Sequence, residues 1–243
     1  GNWKMNGRAA DAKALARAVA AGAGAAPDAV ELLVCPPAPH IPLVAAELAG
    51  SRVRLGGQDC HEAEKGAFTG DVSPEMLKDL GCSHVIVGHS ERREGHGEGD
   101  ALVWRKASAA LRAGLAAIVC VGETEQERLS GQAEETVARQ VRAAVPDGAD
   151  GAVIALAYEP VWAIGSGRTP TDAEIVAVHA TMRRALTELI GAERAGTVRL
   201  LYGGSVKPGN ARQILGLDDV DGALVGGASL AADDFLAIAA AAR

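Results

Sequence analysis

No apolar run in the 243 residues approaches the ~20 that a membrane-spanning helix needs. No signal-peptide pattern is visible at its start. Positive charge is in deficit: 24 Lys and Arg against 31 Asp and Glu leave a net charge of −7. That argues against a nucleic-acid binder, although a site can still be locally positive and take a small anion. The four cysteines, Cys35, Cys60, Cys82 and Cys120, make no CxxC pair. Three of them end or follow short apolar runs, which reads as buried free thiols in a reducing cytoplasm. Six histidines are scattered without metal-ligand spacing such as HExxH, so no metal is expected. Neither a GxGxxG fingerprint nor a P-loop is present, and no linker divides the chain.

What is present is a large potential core, with 48% hydrophobic residues. Short β-branched runs alternate with longer Ala-rich amphipathic stretches. Strands are expected to end near Lys4, Cys35, Gly57, Val87, Val121, Tyr158, Tyr202 and Val225. Runs such as Val30–Cys35 and Ala152–Tyr158 are nearly continuous in apolar residues, as in strands of a parallel sheet buried on both faces. Helices are expected near 9–22, 39–49, 73–80, 98–113, 124–144, 171–190, 208–215 and 229–242. Ser73 before Pro74, Thr124 with Glu127, and Thr171 with Glu174 carry N-terminal capping patterns. Gly95–Gly99 reads as a loop. Eight strand–helix units predict an α/β chain folded over 1–243 as a single (β/α)8 barrel, with a doubly wound open sheet as the other arrangement. The first strand reads as shortened, because the chain opens on Gly1 directly in an apolar run.

A barrel places its chemistry at the carboxyl ends of the strands. At the first end, Asn2 and Lys4 are two apart and share a strand face. Lys4 is then either an interior ammonium with an anionic partner or a surface lysine. After the fourth expected strand comes Gly88-His89-Ser90-Glu91-Arg92-Arg93. His89 reads as an acid, base or hydrogen-bond donor, or as a structural histidine. Glu91 can pair with Lys4, and the two arginines suit ion pairs. After the sixth comes Tyr158-Glu159-Pro160-Val161-Trp162, with Glu159 closing a buried run. Such a carboxylate is a general base or the partner of a buried arginine. The following segment to Pro170 has an apolar tip, two glycines and prolines near both ends. It suits a lid that excludes water, or a loop packed permanently on the barrel. Gly203-Gly204-Ser205 and Gly226-Gly227 lie at the last two strand ends, where glycine N–H groups can approach a phosphate.

Taken together and in order, these blocks, with Gly66-Ala67-Phe68-Thr69-Gly70, resemble the triosephosphate isomerase family over essentially the whole chain. The resemblance implies a TIM barrel without cofactor or metal that interconverts dihydroxyacetone phosphate and D-glyceraldehyde 3-phosphate through an enediolate, in glycolysis and gluconeogenesis. Another barrel phosphosugar isomerase or epimerase is the alternative. The implied roles are Glu159 as base, His89 as electrophile, Lys4 as electrostatic clamp and Asn2 at the enediolate oxygens. Backbone groups at Gly165, Ser205, Gly226 and Gly227 are implied to hold phosphate, and Glu91 to support Lys4. A cytoplasmic homodimer is implied, with the Thr69 loop at its interface. Departures from the commonest family pattern are Ser166 and Arg168 in the lid, where Thr and Lys are usual, and His96 in place of an aromatic. Cys120, near a strand end, reads as the most reactive thiol.

Overall fold

The computed structural model describes residues 1–166 and 168–242, so Gly167 of the expected lid lies outside the described residues. In chain order the elements are α1 (Ala9–Gly22), β1 (Leu33–Val34), α2 (Ile41–Leu48), β2 (Arg54–Gly57), α3 (Pro74–Asp79) and β3 (His84–Val87). Then come α4 (Ser90–His96), α5 (Asp100–Arg112), β4 (Ala116–Val121), α6 (Glu125–Leu129), α7 (Ala133–Ala144) and β5 (Ile154–Tyr158). The chain finishes with α8 (Asp172–Ile190), α9 (Ala192–Thr197), β6 (Arg199–Tyr202), α10 (Pro208–Ile214), β7 (Gly222–Ala223) and α11 (Ala232–Ala240).

The strands form one curled parallel sheet in sequential order, β1 to β7. Neighbouring side chains on a strand point to opposite faces. Val85, Val87, Val119, Leu156, Tyr158, Leu200 and Tyr202 therefore pack outward against the helices. Ile86, Ile118, Cys120 and Ala157 point the other way and meet Cys35 and Leu224 in a separate inner cluster. Both faces are dry, which is why these strands read as unbroken apolar runs rather than alternations.

The edges of the sheet meet at the start of the chain. Asn2 donates its N–H to Val225 O (2.8 Å), and Trp3 donates to Cys35 O (3.1 Å). The expected first strand is reduced to this segment, with one bridge at Asn2. Lys4 leaves the extended region altogether, at φ +50°. The last strand is also short, although Leu224 N–H continues its pairing to Tyr202 O (3.0 Å).

Helix boundaries follow local chemistry. Ser73 caps α3 by accepting from Met76 N–H (3.2 Å), and Thr124–Glu127 and Thr171–Glu174 form reciprocal capping boxes on α6 and α8. The single helix expected over 124–144 is two, because Gly131 sits at φ +73° and turns the chain between α6 and α7. The expected helix over 229–242 begins at Ala232, after a 3-10 turn at Gly227–Leu230. Two helices were not expected from the sequence. One is α9; the other is α4, which starts directly after His89 and stops at Gly97 (φ +66°). Among the described residues no helix is long and apolar enough to cross a membrane.

Candidate active site

One open cavity of about 790 Å³ lies at the carboxyl ends of the strands. Asn2, Lys4, His89, Glu91, Glu159, Gly165, Ser205, Gly226 and Gly227 all line it. Residues scattered across most of the chain converge because every parallel strand ends on the same side.

Glu159 follows β5 directly, and its backbone N–H is held by Val121 O (2.7 Å) at the end of β4. Its side chain is 2% exposed. Its partners are not an arginine: Oε1 lies 2.8 Å from His89 Nε2, and Oε2 accepts from Ser90 N–H at 2.8 Å. Ser90 N–H is the first free donor of α4, so a helix N-terminus faces the carboxylate. Small neighbours permit this placement. A Cβ on Gly122 would fall 1.7 Å from Glu159 O, and one on Gly203 would fall 3.0 Å from Glu159 Cγ.

His89 is positioned by the turn at Gly88 (φ +68°) and is almost fully buried. Its Nδ1 accepts the Glu91 N–H at 3.3 Å. A nitrogen that accepts carries no proton, so this bond assigns the neutral tautomer with the proton on Nε2, facing the cavity.

Lys4 reaches the cavity from a left-handed backbone conformation. Asn2 Oδ1 accepts its N–H (3.0 Å), and Gln58 Nε2 donates to both Lys4 O and Cys35 O (2.8 Å each). The ammonium pairs with Glu91. Gly226 lies beneath the lysine stem, where a Cβ would come 3.4 Å from Lys4 Cε.

The expected lid leaves Glu159 through Pro160 into a 3-10 turn at Val161–Ala163. Trp162 Nε1 donates to Glu123 Oε1 (2.8 Å), a fully buried carboxylate that also takes Arg128 (2.7 Å) and the Tyr158 hydroxyl (3.2 Å). Farther along, Arg168 donates to Glu125 Oε1 (2.6 Å) and to Trp162 O (3.0 Å), and lies over the Trp162 ring. Ile164 and Gly165 line the cavity between these anchors.

The model of the family described as triosephosphate isomerase matches residues 1–242. The chain belongs to the triosephosphate isomerase family. It is 59% identical to the triosephosphate isomerase of Afipia carboxidovorans over 99% of this chain and 95% of that protein. Identity to the Xanthobacter flavus enzyme is 56%, over the same shares. The crystal structure of triosephosphate isomerase from Bartonella henselae superposes with a TM-score of 0.90 at 46% identity, covering 98% of this chain and 95% of that one.

Around this triosephosphate isomerase cavity the two arginines after His89 form ion pairs, as their spacing suggested. Arg92 meets Asp59 (2.9 Å) and Glu98 (2.8 Å), and Arg93 meets Asp100 (2.7 Å). All four cysteines are free and buried. Cys120 is therefore not the reactive thiol its strand-end position suggested. It is fully buried, and burial together with the nearby Glu159 carboxylate pushes its thiol far up. A group held as thiol is a poor nucleophile. Gln58, Ser90, Arg128 and Glu123 were not legible as site residues. Two act on or through backbone atoms, and the other two sit outside the matching blocks.

Proposed function

We propose that this cavity interconverts dihydroxyacetone phosphate and D-glyceraldehyde 3-phosphate, on a single closed (β/α)8 barrel spanning residues 1–243. The chain is an intramolecular aldose–ketose isomerase. The observation that carries the residue assignment is the 2.8 Å contact between Glu159 and His89, in a cavity that also holds Lys4 and the two glycine loops. Closure of the barrel is supported by residues 1–3, which bond to Val225 on one side and Cys35 on the other.

Glu159 removes a proton from the carbon beside the substrate carbonyl. Negative charge then develops on oxygen, and donors already aimed at it stabilise the transition state more than the ground state. His89 donates from Nε2 as a neutral imidazole, a pairing with a carboxylate base for which this family is the standard case. Lys4 supplies positive charge, and Asn2 assists at the enediolate oxygens. His89 passes a proton to the former carbonyl oxygen and takes one from the neighbouring hydroxyl oxygen, and Glu159 returns the carbon proton to the adjacent carbon. Before substrate arrives, the carboxylate is parked on His89 and Ser90 N–H, so it moves toward the reacting carbon as the imidazole turns to oxygen.

The phosphate is held by backbone N–H groups of Gly165, Ser205, Gly226 and Gly227, where glycine permits close approach. Closure of Ile164 and Gly165 excludes water and suppresses loss of phosphate from the enediolate. We place the working form as a cytoplasmic homodimer joined through the Thr69 loop. Residues 65–71 are all exposed, Met5 is 94% exposed, and the four thiols are unpaired.

A coupled assay with glyceraldehyde 3-phosphate tests the reading. Full turnover is expected with and without chelator, and a chelator-sensitive activity would favour a metal-using epimerase instead. Glu159→Asp withdraws the base and is expected to lower kcat by about 10²- to 10⁴-fold with substrate binding retained. Parent-like turnover in that variant would remove Glu159 from the role.

A further inference from the structure

Arg93 does not line the cavity, yet all three of its guanidinium nitrogens are engaged. Nε donates to Gly88 O (2.8 Å), Nη2 to Cys120 O (3.1 Å) and Nη1 to Asp100 Oδ1 (2.7 Å). The second Asp100 oxygen accepts from Arg139 (2.8 Å), which fixes the carboxylate in turn. The Arg93 and Asp100 side chains are each only 16% exposed. A charge-assisted pair shielded this well is directional and persistent, unlike a surface ion pair.

The two carbonyls it joins matter for the site. The last pair of the β3–β4 ladder is Val87 with Val119. One residue on, Gly88 turns into the left-handed region, and strand pairing no longer ties that turn to β4. Arg93 spans the gap between Gly88 O and Cys120 O. On one side, the next residue after Gly88 is His89. On the other, the next carbonyl after Cys120 is Val121 O, which holds the Glu159 N–H (2.7 Å). A Cβ on Gly88 would come 2.7 Å from Val103 Cγ1 and 3.2 Å from Arg93 Nη2, so the turn is packed directly against its clamp.

We infer that Arg93 is a positioning residue for His89: held by Asp100, it fixes the Gly88 turn to the end of β4 and so sets where the imidazole stands relative to Glu159. The inference rests on the assignment of His89 and Glu159 above. A planar fork holds two carbonyls and a carboxylate in fixed directions, which an ammonium on a flexible stem does less rigidly.

The test is Arg93→Met, which keeps much of the stem and removes every donor. For folded enzyme, kcat is expected to fall about 10- to 100-fold, the scale of a displacement near 1 Å at a reacting group. KM and inhibition by inorganic phosphate are expected to hold, because the phosphate loops lie elsewhere. The ¹⁵N resonance of His89 Nε2 is expected to shift, and Arg93→Lys to restore part of kcat. Unchanged kcat, or a fall in kcat with the His89 resonance unmoved, overturns the inference. Should Arg93→Met not fold, Asp100→Asn decides: the same kcat loss at constant KM supports the role, and parent-like kcat refutes it. An inactive parent chain would instead count against the proposed function itself.

Discussion

The side chains of the site depend on single backbone placements. Lys4 sits at φ +50°, which for a non-glycine residue costs on the order of 1–3 kcal/mol and persists only where neighbours hold it. Asn2 Oδ1 holds its N–H, and Gln58 holds its carbonyl through an amide group that bonds both Lys4 O and Cys35 O. Replacing it as Gln58→Met keeps the volume and removes both bonds. The Lys4 backbone then relaxes toward the extended region and the ammonium swings away from the cavity. KM for glyceraldehyde 3-phosphate is expected to rise about tenfold, the equivalent of ~1.4 kcal/mol. Steady-state kinetics with KM equal to the parent's would show that the bonds to Asn2 and Glu91 suffice to hold Lys4.

At the scale of elements, the proposed lid is strung between two anchored ends. Its start is tied by Trp162 to the buried Glu123, and its far side leads into α8, whose first turn is closed by the Thr171–Glu174 box. Thr171 accepts from Glu174 N–H (3.3 Å), and Glu174 Oε2 takes the Thr171 N–H (2.7 Å) and hydroxyl (2.8 Å). Thr171→Ala removes two of these three bonds. The loss is expected to be about 1 kcal/mol. For a chain of this size that lowers Tm by about 2–4 °C in calorimetry, and an unmoved Tm would assign the helix start to packing instead.

For the whole molecule, two histidines with lowered pKa, the buried His179 and the half-buried His84, contribute to the pH dependence of stability near neutral pH. His179 is fully buried on α8, with Nδ1 on Asp219 O (2.8 Å) and no partner for Nε2 among the described residues. Burial pushes its pKa down. His84, at the start of β3, is lowered by burial and then by Arg54. Both bind a proton more readily in the unfolded chain, whose histidines titrate near 6.5. Their contribution is therefore complete above about pH 6.5 and is lost as pH falls through that value toward the lower folded one. Carboxylates held low by their partners, such as Glu31 beside Arg199 and Glu174 beside Thr171, lose their contribution only in more acidic solution. Tm is expected to fall between pH 7 and pH 5, and less steeply in His179→Gln. Equal slopes in variant and parent would exclude His179 as a source.

The alternation of strands with helices, the capping boxes of α6 and α8, and the strand-end residues Asn2, Lys4, His89 and Glu159 around the cavity were legible in the sequence, while the extra helices α4 and α9 were not. Each is written in local terms: an apolar run, a Thr with a Glu three positions on, or a chemically loaded residue directly after a strand. The tertiary structure alone decided that α4 begins on His89, that Lys4 stands in a left-handed turn, and that Cys120 is sealed from solvent. It also decided that Gln58 and Arg93 act on backbone carbonyls. Those features depend on groups brought together from distant parts of the chain, and a carbonyl oxygen looks the same at every position of a sequence until folding gives it a neighbour.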